Sequence, residues 1–448
     1  MTTRWGEAEA AAVPAEAKQA RETNDRWSWV EPSVWKPRML TALEQGVKGG
    51  KWFSLIDKVY APDNLTAAFA RVAANGGAAG VDHQTVAQYE RNLNANQEKL
   101  ATQLQDGSYR PQAVRRVWIN KPGTKEKRPL GIPTVRERVA ETALRNVLEP
   151  IFERDFAEQS YGFRPQRGTK PALRRVDALL KAGHRWVVDA DLKSYFDSIP
   201  HEPLLARVQE KVSDGRVIKL LRDYLAQGVM EGLANWTPTE GTPQGAVISP
   251  LLSNIYLDPL DHLMASRGVE MVRYADDFVI LCRTEAEAHR ALAWVQDWTT
   301  SNGLSLHPEK TRIVDATIRG GFDFLGYHFE RDYKWPRAKS IKKMRNTIRR
   351  KTRRTNGQAL TVIIKDVNQT LRGWFEYFKH SQTNTLQRQD SWVRMRLRSI
   401  LRKRQHRRGH GRGADHQRWP NAYFAMHGFY SLVTAHELSC QSSLRSDH

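Results

Sequence analysis

The sequence predicts an α+β fold, and three observations support this. Stretches such as "LTAAFARVAA" and "VAETALRNVLEPIFERDF" place apolar residues at helical spacing. Others, such as "WVVDADL" and "DDFVILC", are short apolar runs rich in β-branched residues, which is typical of buried strands. After residue 330 the composition becomes strongly basic and helical, so we expect a separate helical unit to follow the mixed one.

Changes of composition divide the chain into four parts. Residues 1–50 are Ala-rich and polar, which predicts a loosely ordered leader. Residues 51–330 carry the mixed α+β pattern. Between 331 and 354 there are twelve Lys or Arg and one acid, Asp332, which predicts a boundary near 331. A helical block then extends over 331–405, and a short basic and aromatic tail over 406–448.

The charge of the chain indicates its partners. Seventy Lys and Arg against forty-nine Asp and Glu give a formal charge of +21, which predicts a polyanionic partner. The only cysteines, Cys282 and Cys440, can build neither a disulfide framework nor a cysteine-rich zinc site. The N-terminus lacks the apolar core of a signal peptide, and no uncharged apolar stretch approaches membrane-spanning length. We therefore expect a soluble intracellular protein with no membrane partner.

Two short stretches place acids within apolar strands. In "VRYADDFVIL", Asp276 and Asp277 lie between two runs that suit a hairpin, with the acids at its turn. Taken alone, such a pair is more often structural than catalytic. In "WVVDADLKSYFDSIP", Asp189 and Asp191 are two residues apart and so share one face of a strand. Either of these acids can approach the hairpin.

Carboxylates gathered from adjacent strands repel one another unless a cation lies between them, and hard oxygen ligands favour Mg²⁺. Two such ions roughly 4 Å apart can activate an attacking hydroxyl and stabilise a leaving pyrophosphate. The pattern therefore predicts nucleotidyl transfer.

Three motifs carry a resemblance to a known family. "YADD" at 274–277, "DLKSYFD" at 191–197 and "GTPQGAVISPLLSNIYLDPLD" at 241–261 together resemble group II intron reverse transcriptases, also called intron maturases. Further blocks occur in the family's order, among them "SYGFRPQRGTKPAL", "GLSLHPEKTRIV" and "LRGWFEYF". The resemblance covers about residue 50 to the end. It implies a right-hand polymerase with fingers and palm over 51–330, an all-helical thumb or maturase X domain over 331–405, and a small basic DNA-binding region over 406–448.

The resemblance implies roles for the acids. Asp191 matches the first metal-binding Asp of the palm, Asp276 and Asp277 complete the triad, and Asp189 is secondary. The backbone carbonyl of Leu192 is implied as a further metal ligand. The implied cofactor is a pair of Mg²⁺ ions, with Mn²⁺ able to substitute.

The resemblance also implies a nucleotide site. Phe196 matches the aromatic gate that leaves no room for a ribose 2′-hydroxyl; its competing interpretation is ordinary core packing. Lys121 and Arg128 match triphosphate-binding positions in a fingers loop, against the alternative of solvated surface charge. Gln244 matches a residue that contacts the incoming nucleotide, against a plain turn before a helix. Lys310 resembles a lysine that neutralises or protonates the leaving pyrophosphate.

The C-terminal third combines positive charge with aromatic residues. The "GWFEYF" aromatics have a spacing that favours a buried helix face, whereas the charges suit recognition of an RNA backbone. The tail resembles the DNA-binding region of bacterial members, and we expect the class that lacks an endonuclease domain.

The implied function is an RNA-directed DNA polymerase that binds its parent group II intron RNA, assists its splicing and reverse-transcribes it during retrohoming. The implied partners are the intron RNA, an RNA template with a DNA primer, target DNA and deoxynucleoside triphosphates. The implied location is the bacterial cytoplasm, at the nucleoid when bound to DNA. Two alternatives remain: a reverse transcriptase recruited to host defence or DNA repair, and a splicing-only RNA-binding maturase.

Overall fold

The computed structural model describes residues 26–47, 49–120, 127–232, 234–409, 411 and 413–446, without the side chains of 442–446. The helices of these residues, in chain order, are Pro37–Gln45, Ile56–Val59, Pro62–Asn75, Val86–Arg91, Leu93–Asp106, Val135–Glu153, Thr169–Lys181, Tyr195–Ser198, His201–Gln209, Gly215–Leu225, Ser249–Ser266, Glu285–Ser301, Ala338–Lys351, Leu360–Phe378, Thr383–Arg404, Asp415–Arg418, Asn421–Met426 and Leu432–Ser446. The strands are β1 (Val114–Asn120), β2 (Lys127–Ile132), β3 (Trp186–Asp191), β4 (Val229–Glu231), β5 (Ala234–Trp236), β6 (Glu270–Tyr274), β7 (Asp277–Cys282), β8 (Arg312–Asp315), β9 (Phe322–Phe324), β10 (Tyr327–Glu330) and β11 (Tyr333–Pro336).

The central sheet has the strand order β6-β7-β3-β8, and every neighbouring pair is antiparallel. Its two faces are both buried, which explains why these strands are almost continuously apolar. Val188, Ala190 and Ile280 belong to the largest core, which includes residues of the helices on one side. Val187 and Val279 belong to a smaller core on the opposite face, with aromatic residues of β9 and β10.

A second four-stranded sheet, the outer sheet, has the order β2-β1-β4-β5. Strand β1 pairs antiparallel with β2 and parallel with β4. Gly131 of β2 donates its backbone N–H to the carbonyl of Gln244, at 2.7 Å. A side chain at Gly131 would lie 3.1 Å from Val114 and 3.6 Å from the Gln244 carbonyl, so a bare glycine suits this close approach.

The segment 26–47, within the stretch predicted to be a loosely ordered leader, packs against the largest core. Trp27 and Trp35 are both buried within the largest core, and the Trp35 indole donates a 2.8 Å hydrogen bond to the carbonyl of Asn146. Leu40 and Leu43 bury one side of the helix Pro37–Gln45. A few large aromatic side chains anchor this segment because each buries a large area, although its average composition is polar. Residues 1–25 lie outside the described part of the chain.

The C-terminal helical unit, residues 338–446, has its own core. Apolar faces of Ala338–Lys351, Leu360–Phe378 and Thr383–Arg404 pack together, and this core continues into the tail through Trp419, Phe424 and Leu432. Phe375 and Phe378 are buried, as the aromatic spacing predicts. The boundary predicted at residue 405 therefore marks a change of composition, and residues on both sides of it share one core. Along the described residues, no helix combines the length and apolar character needed to cross a bilayer.

Candidate active site

Strands β6 and β7 form the hairpin that the sequence predicts. Tyr274 is paired with Asp277, so Ala275 and Asp276 make the turn between the strands. Ala275 has a φ of 60°, in the left-handed region. The segment around Gly162 passes so close to this turn that a Cβ added at Gly162 would lie 2.3 Å from the Ala275 nitrogen. The turn is therefore held against that segment by direct backbone packing.

A buried guanidinium supports this turn from within. Arg273 is fully buried, and it forms an ion pair with Asp261 through Nε and Nη2. Its Nη1 donates to Asn254 Oδ1 at 3.1 Å and to the carbonyl of Ala275 at 3.0 Å. Its Nη2 also donates to Ser160 Oγ at 2.8 Å. The sequence reasoning missed Arg273, although an arginine inside an apolar strand is itself a signal, because a buried charge needs a partner.

The central sheet brings the predicted acids together. In the register of β3 with β7, Asp191 lies directly opposite Asp277, and Asp276 is the next residue in the turn. Residues directly opposite in such a pair have their Cβ atoms about 4.5–5.5 Å apart. Three acids separated by up to 86 positions in the sequence therefore converge at one end of the sheet.

These acids lie in an unfavourable electrostatic environment. Burial raises the pKa of Asp277 to about 7, and repulsion by Asp189, Asp276 and Asp191 adds to the effect. Burial also raises the pKa of Asp276, with a further contribution from the charge of Asp191. Both effects penalise the ionised carboxylates, so a cation at this end of the sheet would relieve them.

Two cations from the following segment pair with the acids of β3. The ammonium of Lys310 contacts the Asp191 carboxylate, which places this predicted residue in the site. Arg312 Nε donates to Asp189 Oδ2 at 3.1 Å. Over the residues that the structure describes, no three acidic, histidine or cysteine side chains form a ready-made metal cluster.

The donor set nevertheless fits a divalent cation. Leu192 forms an isolated antiparallel bridge with Leu306, and the hydrogen bonds that flank the bridge use the Asp191 carbonyl and the Lys193 N–H. The carbonyl of Leu192 is therefore left outside this ladder. A backbone carbonyl beside converging carboxylates is a set of hard oxygen ligands, which Mg²⁺ and Ca²⁺ prefer.

One backbone and one side-chain hydrogen bond join the loop that carries Gln244 to the segment that carries Phe196. Thr242 donates its N–H to the carbonyl of Phe196 at 2.6 Å, and Gln244 Nε2 donates to Asp197 Oδ2 at 3.2 Å. A cavity of about 270 Å³ lies between this loop and the outer sheet, beside the hydrogen bond that joins Gly131 to Gln244. Its lining includes Val114, Arg116 and Gly131 from one side and Asp197, Thr242 and Gln244 from the other. The sequence reasoning did not single out Asp197 or Arg116.

The structure describes one of the two residues predicted to bind phosphate, Arg128. Arg128 is an exposed residue of β2, paired with Ile119. Its neighbours Pro129 and Gly131 line the cavity, so strand alternation directs Arg128 to the opposite face. Lys121 lies outside the described residues.

Comparison with known families identifies the family to which a chain with this site belongs. Residues 119–329 match the model "Reverse transcriptase (RNA-dependent DNA polymerase)", and residues 341–419 match "Group II intron, maturase-specific domain". Protein YkfC of Escherichia coli (strain K12) is 33% identical over 291 residues, which cover 56% of this chain and 76% of YkfC. The chain belongs to the group II intron reverse transcriptases.

Other relatives of this reverse transcriptase share shorter regions. The group II intron-encoded protein LtrA of Lactococcus lactis subsp. cremoris is 42% identical over 164 residues, which are 37% of this chain and 27% of LtrA. An uncharacterized 91 kDa protein in the cob intron of Schizosaccharomyces pombe is 38% identical over 278 residues, which are 49% of this chain and 34% of that protein. The alignments thus span about a third or less of these two longer relatives.

A solved structure also matches the reverse transcriptase, but weakly. A chain of the "Partial Cas6-RT-Cas1--Cas2 complex" aligns with 55% of this chain and 41% of its own length, at 22% identity and a TM-score of 0.36. The family models confirm the predicted family and its polymerase class, and a reverse transcriptase domain implies a requirement for divalent metal.

Proposed function

We propose that the protein copies its parent group II intron RNA into DNA, assists the splicing of that intron and takes part in its retrohoming. The observation that carries the proposal is the register that places Asp191 opposite Asp277, with Asp276 in the adjoining turn. The maturase-specific match over 341–419 supports the splicing role.

Asp191, Asp276, Asp277 and the Leu192 carbonyl would hold two Mg²⁺ ions, for which Mn²⁺ can substitute. When bound, the ions supply activation of the primer 3′-hydroxyl and stabilisation of charge on the leaving pyrophosphate. We assign Lys310 to neutralise charge on that pyrophosphate, and its contact with Asp191 supports this assignment. Arg273 keeps the turn in position through the Ala275 carbonyl.

The incoming deoxynucleoside triphosphate would occupy the cleft between the outer sheet and the Gln244 loop. We assign Gln244 to contact the nucleotide, Phe196 to exclude the ribose 2′-hydroxyl and Lys121 to bind the triphosphate. Arg128, the other residue predicted to bind the triphosphate, projects from the opposite face of β2 and is not assigned to this cleft. In this right-hand arrangement the outer sheet belongs to the fingers, the central sheet to the palm and residues 331–405 to the thumb.

The basic C-terminal helical unit would bind nucleic acid. A cavity of about 750 Å³ between Ala338–Lys351 and Thr383–Arg404 is lined by Lys342, Arg345, Arg349 and Arg388, among other residues. Dense cationic groups without an acid in the lining suit a phosphate backbone. We assign intron RNA and the RNA template with its DNA primer to this unit, and target DNA to the tail 406–448. Such partners place the protein in the bacterial cytoplasm, and at the nucleoid when it is bound to DNA.

Replacing Asp276 and Asp277 with Ala tests the proposal. We expect cDNA synthesis on a primed RNA template to be abolished, because the site loses two of its three carboxylates, and intron RNA binding to be retained, because the basic unit lies elsewhere. Primer extension and filter binding measure the two activities. Asp297→Ala, at an exposed position of the helix Glu285–Ser301, is the control.

Retained cDNA synthesis in the double variant would contradict the assignment of these acids. No synthesis by the wild-type protein with Mg²⁺ or Mn²⁺, together with intact intron binding, would favour a splicing-only maturase.

A further inference from the structure

One face of the outer sheet exposes two tryptophans on either side of an arginine. Val114, Arg116 and Trp118 alternate along β1 and therefore share a face. Val114 is paired with Val229, and Val229 with Trp236, so Trp236 projects from the same face. The Trp118 and Trp236 side chains are 47% and 38% exposed. The Arg116 guanidinium carbon lies 4.7 Å from the centre of the Trp236 ring and 5.9 Å from that of Trp118.

Packing in the hydrophobic core does not explain the positions of the Trp118 and Trp236 rings, because both are partly exposed. A tryptophan that only packs in the fold buries most of its surface, as Trp27 and Trp35 do. Trp118 instead donates its indole N–H to Glu231 Oε1 at 2.6 Å, which holds the edge of the ring in place. An indole fixed in this way loses little side-chain entropy when a flat ligand stacks on it.

We propose that Arg116, Trp118 and Trp236 form a stacking platform for unpaired template RNA ahead of the site of synthesis. Exposed aromatic rings with an interleaved cation are the means by which proteins bind single-stranded nucleic acid: bases stack on the rings, and the cation attracts the phosphates. This inference rests on the proposed polymerase function, because it assigns the template to one end of that cleft.

Continuity with the nucleotide cleft identifies the occupant. Arg116 also lines the 270 Å³ cavity that Gln244 and Asp197 line from the other side. Any strand that passes over the tryptophans therefore leads directly to that cavity. Inside a base-paired duplex each base face is covered by the adjacent pair and cannot stack on the rings, so the occupant is the single-stranded part of the template that has not yet been copied. Glu231 and Glu240 lie beside this path and disfavour a close approach of phosphate at those two points.

The test compares a template–primer duplex whose RNA strand has a six-nucleotide 5′ overhang with the same duplex without the overhang. Fluorescence anisotropy gives the affinity of the full chain for each. In the wild type we expect the overhang to increase affinity, and in Trp118→Ala/Trp236→Ala we expect that increase to fall about ten- to a hundred-fold, since two stacking surfaces are removed. Affinity for the blunt duplex should not change.

Matched variants separate stacking from other effects. Phe53→Ala removes an aromatic ring that is 69% exposed elsewhere, and it should keep the full overhang effect. Trp118→Phe/Trp236→Phe keeps two rings and should restore most of the effect. Circular dichroism establishes that each variant is folded.

An overhang effect of equal size in the wild type and in Trp118→Ala/Trp236→Ala would overturn the platform. An equal loss of affinity for the blunt duplex would overturn it too, because the tryptophans would then serve the duplex or the fold. The proposed function is judged separately, since Asp276→Ala/Asp277→Ala should lose cDNA synthesis and keep the overhang effect.

Discussion

Phe196 shows how a single side chain in this site combines packing with a proposed selective role. Its ring is half-buried and lies against Tyr195 in an edge-to-face pair, with ring centres 5.6 Å apart. Its carbonyl accepts the Thr242 N–H, so the backbone beneath the ring is tied to the Gln244 loop. A ring supported from two directions cannot easily move aside for an additional hydroxyl group.

Phe196→Val is expected to raise ribonucleotide incorporation at least ten-fold relative to deoxynucleotide incorporation, because it opens space where the ring excludes the 2′-hydroxyl. A steric clash of this kind disfavours the ribonucleotide by about 1–3 kcal/mol. Primer extension with single ribonucleotides and deoxynucleotides gives the ratio of kcat/KM values. Phe53→Ala serves as the control. An unchanged sugar preference in a folded Phe196→Val protein would assign the ring to packing alone.

At the scale of secondary-structure elements, a buried acid fixes the loop that precedes the helix Ser249–Ser266. Glu141, from the helix Val135–Glu153, accepts hydrogen bonds from the backbone N–H groups of Val247 and Ile248 through one carboxylate oxygen. The side chain is fully buried, and burial raises its pKa to about 8. Since Gln244 lies three residues before Val247, this contact also sets the position of the proposed nucleotide loop.

The raised pKa of Glu141 predicts a pH dependence of stability. The folded protein holds this proton more tightly than the unfolded chain, so the free energy of unfolding should fall as pH rises from about 4.5 through about 8. The slope from this group is at most about 1.4 kcal/mol per pH unit. Glu141→Gln keeps a neutral oxygen acceptor for both N–H groups and should remove that part of the slope.

Urea unfolding between pH 5 and pH 9 measures this difference. The stability of Glu141→Gln relative to the wild type should increase with pH, whereas Glu98→Gln, at an exposed position of the helix Leu93–Asp106, should follow the wild type. Parallel pH profiles for the wild type and Glu141→Gln would mean that Glu141 is ionised in the folded protein throughout this range.

On the scale of the whole molecule, the basic tail is part of the C-terminal helical unit. Phe424 is fully buried in the core shared with the three long helices, and the guanidinium carbon of Arg398 lies 5.1 Å from its ring centre. Asp390 accepts hydrogen bonds from Ser431 and from the N–H groups of Leu432 and Val433, so it caps the last helix. The maturase-specific match ends at residue 419, inside this shared core.

Phe424→Ala should therefore destabilise the C-terminal helical unit by about 3–5 kcal/mol, which is typical of deleting a buried phenylalanine ring. The unfolding of this unit in urea is monitored through the loss of intron RNA binding. Met426→Ala provides a matched control, because Met426 lies two residues further along the same short helix and is 79% exposed. Equal unfolding midpoints for the two variants would show that the tail does not contribute to the core.

Local patterns in the chain were sufficient to predict much of the central sheet and the identity of its acids. The apolar runs around Asp276 and Asp277 predicted the hairpin, and the spacing of Asp189 and Asp191 predicted a shared strand face. The motifs also predicted the family that the comparisons confirmed. These features are recognisable because strand periodicity and the residue types of a catalytic site are expressed over a few adjacent positions.

Folding in three dimensions was needed for the rest, because contacts between distant segments leave no periodic trace in the chain. The pairing of Asp191 with Asp277 depends on how β3 and β7 come into register. The support of Ala275 by Arg273, the burial of Trp35 and the packing of Phe424 each join segments that composition had placed apart or left unconnected. Whether an aromatic or charged side chain ends in the core or on the surface depends on which partner surface reaches it, and only the folded chain brings those surfaces together.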